Sequence, residues 1–212
     1  MDLFEFGQPE LLDIFNTAPS KGMLKKIEII EATIDCIATI GFEKTTYEAI
    51  AKQIGTRRAH IAYHFNDKQD IFKACVKYIV SNYHSISLQH LQEAFSPKDK
   101  LMKYIEGPYL WSEKYPKQLA VMLLFYYLCS VRDDYKELHD KVRLAGLERI
   151  NDILLRDLQL EMSKREAKTL SVAIQNIMNG YHISVETSSF SSFKNAESES
   201  KKLIWKLVEA YL

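Results

Sequence analysis

Apolar residues recur at steps of three and four along most of this 212-residue chain. Between residues 24 and 40 the steps run through Ile27, Ile30, Ile34 and Ile37, which is the spacing of one helix face. The chain has only 7 glycines and 5 prolines, and no segment shows the strong apolar-polar alternation of a half-buried strand. The sequence therefore predicts an all-α fold of long helices joined by short turns.

Glycine and capping residues divide the first third of the chain into helices. The predicted boundaries are an end at Gly41, starts at Thr45 or Thr46 and at Asn66-Asp67, a joint at Gly55, and a third helix over 57–64. Two short helices joined through a glycine, in a compact three-helix unit, are typical of a helix-turn-helix head.

The helical spacing continues to the end of the chain and predicts a larger helical body. Helix starts are expected at Ser96-Pro97, Gly107-Pro108 and Pro116, and longer helices over 135–160, 164–186 and 196 to the end. Residues 187–195 are rich in Ser, Thr and Asn and are predicted to form a loop.

Charge and cysteine content narrow the possible classes of protein. The formal net charge is zero, but residues 1–20 carry four acids and no Lys or Arg, whereas residues 21–85 carry ten basic and seven acidic residues. The three cysteines are widely spaced, which predicts free thiols. No apolar run reaches membrane-spanning length, and the acidic start does not fit a signal peptide. We expect a cytoplasmic protein with no membrane contact.

The sequence lacks the common motifs of enzyme and cofactor sites. GxSxG, GxGxxG, a P-loop, HExxH and CxxC are all missing, so we expect no catalytic residues and no cofactor. His60 and His64 are four apart and share a helix face. Asp67 is the one acid near them, and zinc needs at least three protein ligands, so no metal site is expected.

The stretch GTRRAHIAYHFNDK indicates what the head binds. Steps of 100° per residue from a buried Ile61 turn Ala59 and Tyr63 to the opposite side of the helix. Arg57 and Arg58 lie at the helix N-terminus, the end of a recognition helix that usually meets base edges. The planar fork of arginine fits guanine or phosphate, and a small alanine allows close approach to the groove.

Residues 26–72 resemble the DNA-binding head of the tetracycline-repressor (TetR) family of regulators. The features that match are Gly41-Phe42, Thr45-Thr46, Ile50-Ala51, Gly55, the Tyr-His-Phe triplet at 63–65, and Lys68. The resemblance implies contacts to phosphates from Thr46, Tyr47, Tyr63, His64 and Lys68, and contacts to bases from Arg58, Ala59 and His60. Arg57 is expected to add one more cation that faces the DNA.

The sequence differs from the usual residue pattern of the family at two positions of the third helix. Arg57 stands where Ser or Thr is frequent, so we expect helix capping to pass to Thr56. Ala62 stands where an aromatic residue is frequent, which removes one contact to phosphate. The operator sequence therefore stays open. Lys21, Lys25 and Lys26 are either ordinary surface charges or contacts to the minor groove.

The resemblance also implies a division into three parts. These are an N-terminal extension over 1–22, a helix-turn-helix DNA-binding domain over 23–67, and a helical regulatory and dimerisation domain over 68–212. The family dimerises through its last two long helices, so we expect a homodimer whose two heads match a palindromic operator in double-stranded DNA. The expected interface residues are Leu147, Ile150, Leu154, Leu170, Ile174, Ile177 and Tyr181.

The family holds a small-molecule pocket in the helical body. The candidate lining residues, which core packing alone also explains, are Tyr104, Tyr109, Trp111, Phe125, Tyr126 and Tyr127. Since no cluster of like charge occurs among them, the expected effector is a small apolar or aromatic molecule. The resemblance implies that this effector shifts the long helix that starts at Lys68 and releases a repressor from DNA.

Two other interpretations stay open. One is a helical interaction protein, or a regulator whose head no longer reads DNA, which the acidic N-terminal segment favours. The other is an enzyme with an all-α body.

Overall fold

The computed structural model of the protein describes residues 20–188 and 192–212. These residues form nine α-helices and no strand, which confirms the predicted all-α fold. The helices are α1 (Lys21–Ile40), α2 (Tyr47–Gln53), α3 (Arg58–His64), α4 (Lys68–Gln92), α5 (Pro97–Lys114), α6 (Pro116–Val131), α7 (Asp133–Asp152), α8 (Lys164–Thr187) and α9 (Phe193–Glu209), with a π-helical turn (Ile153–Asp157) after α7. None of these helices is long and apolar enough to cross a bilayer.

The chain divides into two compact units. Of the described residues, the first unit comprises those from 20 to 82 together with Tyr115–Asp133, and the second comprises Tyr83–Lys114 and those from 134 to 212. Helix α4 contributes residues to both units. Most of the predicted N-terminal extension, residues 1–19, lies outside the described residues; its last two positions, Lys21 and Gly22, form the first turn of α1.

The core of the first unit is built on the apolar face of α1. Helices α2 and α6 pack against α1. Ile30 and Ile34 of the predicted stripe are buried, and Ile61 of α3 and Phe72 of α4 have no exposed surface. Gly41 ends α1 as predicted, with φ +81°, a left-handed conformation that favours glycine.

The core of the second unit is formed by α5, the π-helical turn, α8 and α9. Its fully buried members include Leu101, Ile105, Ile150, Leu154, Ile174, Ile204 and Val208. Helix α8 begins with a capping box, in which the Ser163 hydroxyl accepts from the Glu166 N–H and the Glu166 carboxylate accepts from the Ser163 N–H. This cap explains why the predicted start at 164 is correct.

The predicted helix start at Gly107-Pro108 is wrong, because α5 runs through both residues from Pro97 to Lys114. Proline removes one backbone hydrogen bond, but the buried residues Tyr104, Ile105 and Tyr109 on either side hold the helix together by packing. Gly107 has a different role, since a Cβ atom there would lie 2.5 Å from the Ser87 Oγ. The glycine therefore permits close approach of α4 and α5.

Two further boundaries differ from the prediction. The helix expected over 135–160 starts at Asp133, and its α-helical part ends at Asp152 before the π-helical turn. The backbone then adopts a left-handed conformation at Gln159, which has φ +52°. The loop expected over 187–195 is shorter, because Thr187 still belongs to α8 and α9 already begins at Phe193.

Candidate nucleic-acid interface

Helices α2 and α3 form a compact helix-turn-helix unit. The Thr46 hydroxyl caps α2 by accepting from the Ala49 N–H at 3.2 Å. Gly55 turns the chain with φ +65°, and the Thr56 N–H then donates to the Ala51 carbonyl at 2.9 Å. Ile61 anchors α3 because its side chain is fully buried. These contacts fix the orientation of α3 on the first unit.

The outer side of α3 is exposed, as the 100° steps predicted. Arg57, Arg58, Ala59 and Tyr63 are all exposed, and the Tyr63 side chain reaches 83% exposure. Its ring and hydroxyl group are therefore accessible to a binding partner. The helix therefore presents two arginines, a small residue and a tyrosine to one side.

The cap of α3 differs from the prediction. Arg57 is the N-cap residue, and its side chain makes no capping hydrogen bond. The Thr56 hydroxyl does not cap the helix either, since it forms a hydrogen bond with His60 Nδ1 at 3.0 Å. This bond orients the half-buried His60 ring, so Thr56 positions a residue that is expected to read bases.

Arg58 is tied to the preceding helix. Its Nε lies 2.7 Å from the Glu48 carboxylate, and its guanidinium carbon lies 6.0 Å from the centre of the Tyr47 ring. Both side chains of the ion pair are 65% exposed. Water screens such a pair strongly, so a phosphate or base can replace Glu48 at small cost.

Tyr47 and Lys68 have polar ends that are engaged inside the head. The Tyr47 hydroxyl donates to the Phe65 carbonyl at 3.0 Å, so it cannot donate to a phosphate in this conformation. Lys68 donates to the carbonyls of Phe42 and Glu43, and burial lowers the pKa of its ammonium group. Tyr47 of α2 thus binds the C-cap of α3, and Lys68 of α4 binds the turn between α1 and α2, roles that the sequence prediction did not include.

A cleft of about 300 Å³ lies beside α3, within the first unit. Its charged lining consists of three lysines and one aspartate, Lys26, Lys73, Lys77 and Asp70. His64 also lines the cleft, and burial together with the positive charge of His60 and Lys26 lowers its pKa. The cleft is therefore a positively charged channel of the kind that suits a phosphate backbone.

The sequence prediction missed the part of this cleft that α4 provides. Asp70, Lys73 and Lys77 lie at steps of three and four, which is the spacing of one helix face. That spacing was a usable signal, but only the orientation of α4 against α1 shows that this face meets Lys26. The rings of His60 and His64 lie 5.2 Å apart, and the described residues contain no group of three potential metal ligands.

The predicted pocket residues divide between the two units. Tyr104, Tyr109 and Trp111 are buried in the second unit, on α5. Phe125, Tyr126 and Tyr127 belong to α6 of the first unit, where Phe125 is buried and Tyr127 is 63% exposed. Tyr109 and Trp111 both contact the ring of His182 on α8, with ring centres 5.9 Å and 5.7 Å apart.

The predicted dimer residues have different exposures. Four of them are buried in the core of the single chain and have no surface to offer to a partner in this conformation; these are Ile150, Leu154, Leu170 and Ile174. Leu147, Ile177 and Tyr181 are only partly buried and keep exposed surface. The width of the apolar stripe on α7 and α8 is thus explained first by packing within the chain.

Comparison with known sequences finds similarity over the helix-turn-helix unit and the helices around it. The family model described as "Bacterial regulatory proteins, tetR family" matches residues 29–75. The HTH-type transcriptional regulator BetI of Yersinia pestis (strain Pestoides F) is 27% identical over 93 residues, which are 42% of this chain and 47% of that protein. The chain therefore spans about half the length of the relatives that it matches.

Comparison with solved structures shows that the fold extends over the body. A transcriptional regulator from Pseudomonas aeruginosa PAO1 superposes with a TM-score of 0.74 at 14% identity, over 91% of this chain and 96% of that one. A regulator from Saccharomonospora viridis, solved in complex with choline, gives a TM-score of 0.74 at 17% identity, over 87% and 95%. At these identities the likeness concerns the fold.

Proposed function

We propose that this chain, which is a member of the tetR family of bacterial regulatory proteins, binds a palindromic DNA operator as a homodimer and leaves it when a small molecule binds. In this proposal it acts as a repressor in the cytoplasm, where the operator is. The first unit supplies the DNA contacts, and the second unit supplies the effector site and the dimer interface.

The exposed side of α3 is the observation that carries this proposal. A helix anchored by Ile61 presents Arg58, Ala59 and Tyr63 outwards, and residues of these types contact bases and phosphates in major grooves. Thr46 supports the same surface, because its hydroxyl accepts in the cap and keeps its hydrogen for a phosphate. Arg57 adds a second cation at the start of the helix.

The lysine-lined cleft supports the proposal from the other side of α3. A phosphate strand beside α3 would meet Lys26, Lys77 and His64, which line the cleft. We include Lys26 and Lys77 in the DNA-binding surface for this reason. Their contribution to DNA affinity should not depend on the DNA sequence, and it should weaken as the salt concentration rises, since bound phosphates release their counterions.

The second unit is the proposed sensor. Its buried aromatic residues on α5, Tyr109 and Trp111, pack around His182 and are suited to an apolar or aromatic effector. The choline complex of the regulator from Saccharomonospora viridis supports the idea that this fold holds small molecules. Because α4 contributes to both units, a shift of this helix is the proposed route from effector to DNA.

The proposed dimer uses the part of α7 and α8 that remains exposed. Leu147, Ile177 and Tyr181 are the candidates, whereas the buried members of the predicted set serve the core. A two-fold axis through this surface would present two copies of α3 to two half-sites. Sedimentation analysis of the purified protein, with Tyr181→Glu as the interface variant, measures this association directly.

Selection of bound sequences from a random DNA pool tests the proposed function. We expect enrichment of a palindrome with half-sites one helical turn apart or a multiple of it, and an affinity that falls by at least about tenfold between about 50 and 200 mM salt. An Arg156→Ala variant, altered at an exposed arginine of the second unit, should select the same palindrome. A pool without enrichment would contradict the proposal and favour a head that no longer reads DNA.

A further inference from the structure

Arg149 of α7 is partly buried in the second unit, and one nitrogen of its guanidinium lies in the interior. It lies four residues after Ala145 and four before Ile153, both of which are buried, so it shares their inward-facing side of the helix. Its Nη2 atom has no contact with solvent and no hydrogen-bond partner. No acidic side chain in residues 20–188 and 192–212 lies within ion-pair distance of this guanidinium.

The groups around Arg149 do not supply the missing negative charge. Tyr83 and Tyr104 lie near it, and burial raises the pKa of both phenols, so they stay neutral. Burial, followed by the charge of Arg149, lowers the pKa of His84 to about 4, so this ring is neutral too. Arginine itself cannot lose its proton in a protein. The charge of Arg149 therefore stays uncompensated in the described chain.

A second polar atom without a partner belongs to the same cluster. The Gln175 side chain of α8 donates from Nε2 to the Arg143 carbonyl at 3.1 Å, but its Oε1 atom is buried and makes no hydrogen bond. Gln175 approaches α7 at Gly146, one helical turn before Arg149, where a Cβ atom would lie only 2.6 Å from Nε2. The Tyr104 hydroxyl also reaches this turn and donates to the Gly146 carbonyl at 3.4 Å.

Buried charges in folded proteins are paired or bind an ion, because an unpaired one is costly. We propose that Arg149 is the anchor for a carboxylate group of the effector, which completes an ion pair that the chain leaves open. The inference rests on the proposed function, in that the second unit is the sensor, and it specifies the class of ligand as a small apolar or aromatic carboxylic acid.

The surroundings favour a carboxylate over other charged groups. One partly buried arginine, with one buried and unpaired nitrogen, balances a single negative charge, whereas a phosphate would bring nearly two. The edge-to-face contact of Tyr83 and Trp111, with ring centres 6.2 Å apart, provides an aromatic wall for the rest of the molecule. A quaternary ammonium ion such as choline would be repelled by Arg149.

Removal of the charge tests, without any ligand, whether the charge of Arg149 is unpaired in the folded protein. An Arg149→Met variant replaces the guanidinium with a shorter, unbranched apolar side chain of similar helix propensity, and its melting temperature should rise by about 2 °C or more. Arg156→Met is the matched control, since Arg156 is 78% exposed and paired with Asp152; its melting temperature should stay the same. A fall in the melting temperature of Arg149→Met would show that Arg149 already has a partner and would overturn the inference.

Binding of matched acids and amides tests whether Arg149 binds the carboxylate group of a ligand. The panel pairs acetate, benzoate, phenylacetate, 1-naphthoate and decanoate with their neutral amides, and includes choline. With the wild-type protein, at least one acid should bind more tightly than its amide by about tenfold or more. Arg149→Met should lose this preference, and Arg156→Met should keep it. The inference fails if no acid in the panel is preferred over its amide, if Arg149→Met keeps the preference, or if choline binds more tightly than every acid.

These measurements use no DNA, so their outcome is separate from that of the operator selection. An enriched palindrome without any acid preference would leave the proposed function in place and remove the carboxylate. Acid binding that depends on Arg149, without an enriched palindrome, would retain the ligand class and remove the DNA-binding role.

Discussion

The two units of this protein use arginine in opposite ways. Arg58 of the first unit is 65% exposed and paired with the equally exposed Glu48. Arg149 of the second unit has a buried Nη2 atom with no partner, and no acid of the described residues lies within ion-pair distance. The first side chain lies mostly in water, whereas the second lies on the inward-facing side of α7 and is partly buried.

This difference indicates how each arginine can act. An exposed ion pair contributes little to stability, so Arg58 can exchange Glu48 for a phosphate or a base at small cost. A buried charge without a counterion raises the free energy of the folded state. An anion that binds to Arg149 would remove this cost, and the energy recovered would add to its affinity. The first site exchanges one partner for another, and the second acquires a partner that it lacks.

The largest predicted effect concerns two histidines of the second unit, His84 and His182, which burial keeps neutral. Burial lowers the pKa of His84 and of His182 to about 4, from 6.5 in the unfolded chain. As the pH falls below 6.5, the unfolded chain takes up protons first. The stability that depends on neutral histidines is therefore complete above pH 6.5 and is lost as the pH falls towards about 4.

For each of these histidines, the free energy of unfolding should be lower by about 2 kcal/mol at pH 4.5 than at neutral pH. Trp111 and Trp205 both lie in the second unit, so tryptophan fluorescence in a urea titration reports on it. A His182→Gln variant should show a weaker pH dependence than the wild type, whatever its absolute stability. An identical pH dependence in this variant would show that the ring is not held neutral.

A smaller effect separates the two tyrosines of the helix-turn-helix unit. Loss of the hydroxyl in Tyr47→Phe leaves the Phe65 carbonyl without its donor, so the free energy of unfolding should fall by about 1 kcal/mol. Tyr63→Phe is the matched control. The Tyr63 side chain is 83% exposed, so loss of its hydroxyl group should leave the free energy of unfolding unchanged. Urea titration of the two variants at neutral pH measures both values.

The outcome for Tyr47 also decides between two roles. If Tyr47→Phe keeps its stability but loses operator affinity, the hydroxyl contacts phosphate and the bond to Phe65 is not maintained. If it loses stability and keeps most of its affinity, the internal role is correct.

The smallest predicted effect tests whether the Arg58 pair is exchangeable. Glu48→Gln removes the competing carboxylate, so operator affinity should rise by about threefold, while stability changes by less than about 1 kcal/mol. Glu161→Gln, at an exposed acid of the second unit, controls for the change in net charge. Fluorescence anisotropy with the selected operator measures the affinities. A loss of affinity in Glu48→Gln would mean that Glu48 holds Arg58 in its binding position. The claim that Arg58 readily exchanges Glu48 for DNA would then be wrong.

The sequence was sufficient to predict the helical fold and the orientation of α3. Helical periodicity is a local property, so steps of 100° from Ile61 correctly placed Tyr63 on the exposed side. The start of α8 at Lys164 was also predictable, because its capping box lies within four residues. These features depend on neighbours in the chain.

The features that the sequence did not reveal depend on distant parts of the chain. The bond from Tyr47 to Phe65 spans 18 positions, and that from Lys68 to Phe42 spans 26, so neither was apparent from local spacing. The unpaired state of Arg149 is a property of the whole surroundings, although its position between Ala145 and Ile153 was a local signal that went unused. The continuity of α5 through Pro108 likewise depends on tertiary packing.

The most direct measurement is the affinity of the double variant Arg58→Ala/Tyr63→Ala for the selected operator, determined by fluorescence anisotropy. Both side chains are exposed, so the variant should unfold at the same urea concentration as the wild type. If the exposed side of α3 reads DNA, operator affinity should fall by about 100-fold or more. An unchanged affinity would contradict the assignment of α3 as the recognition helix.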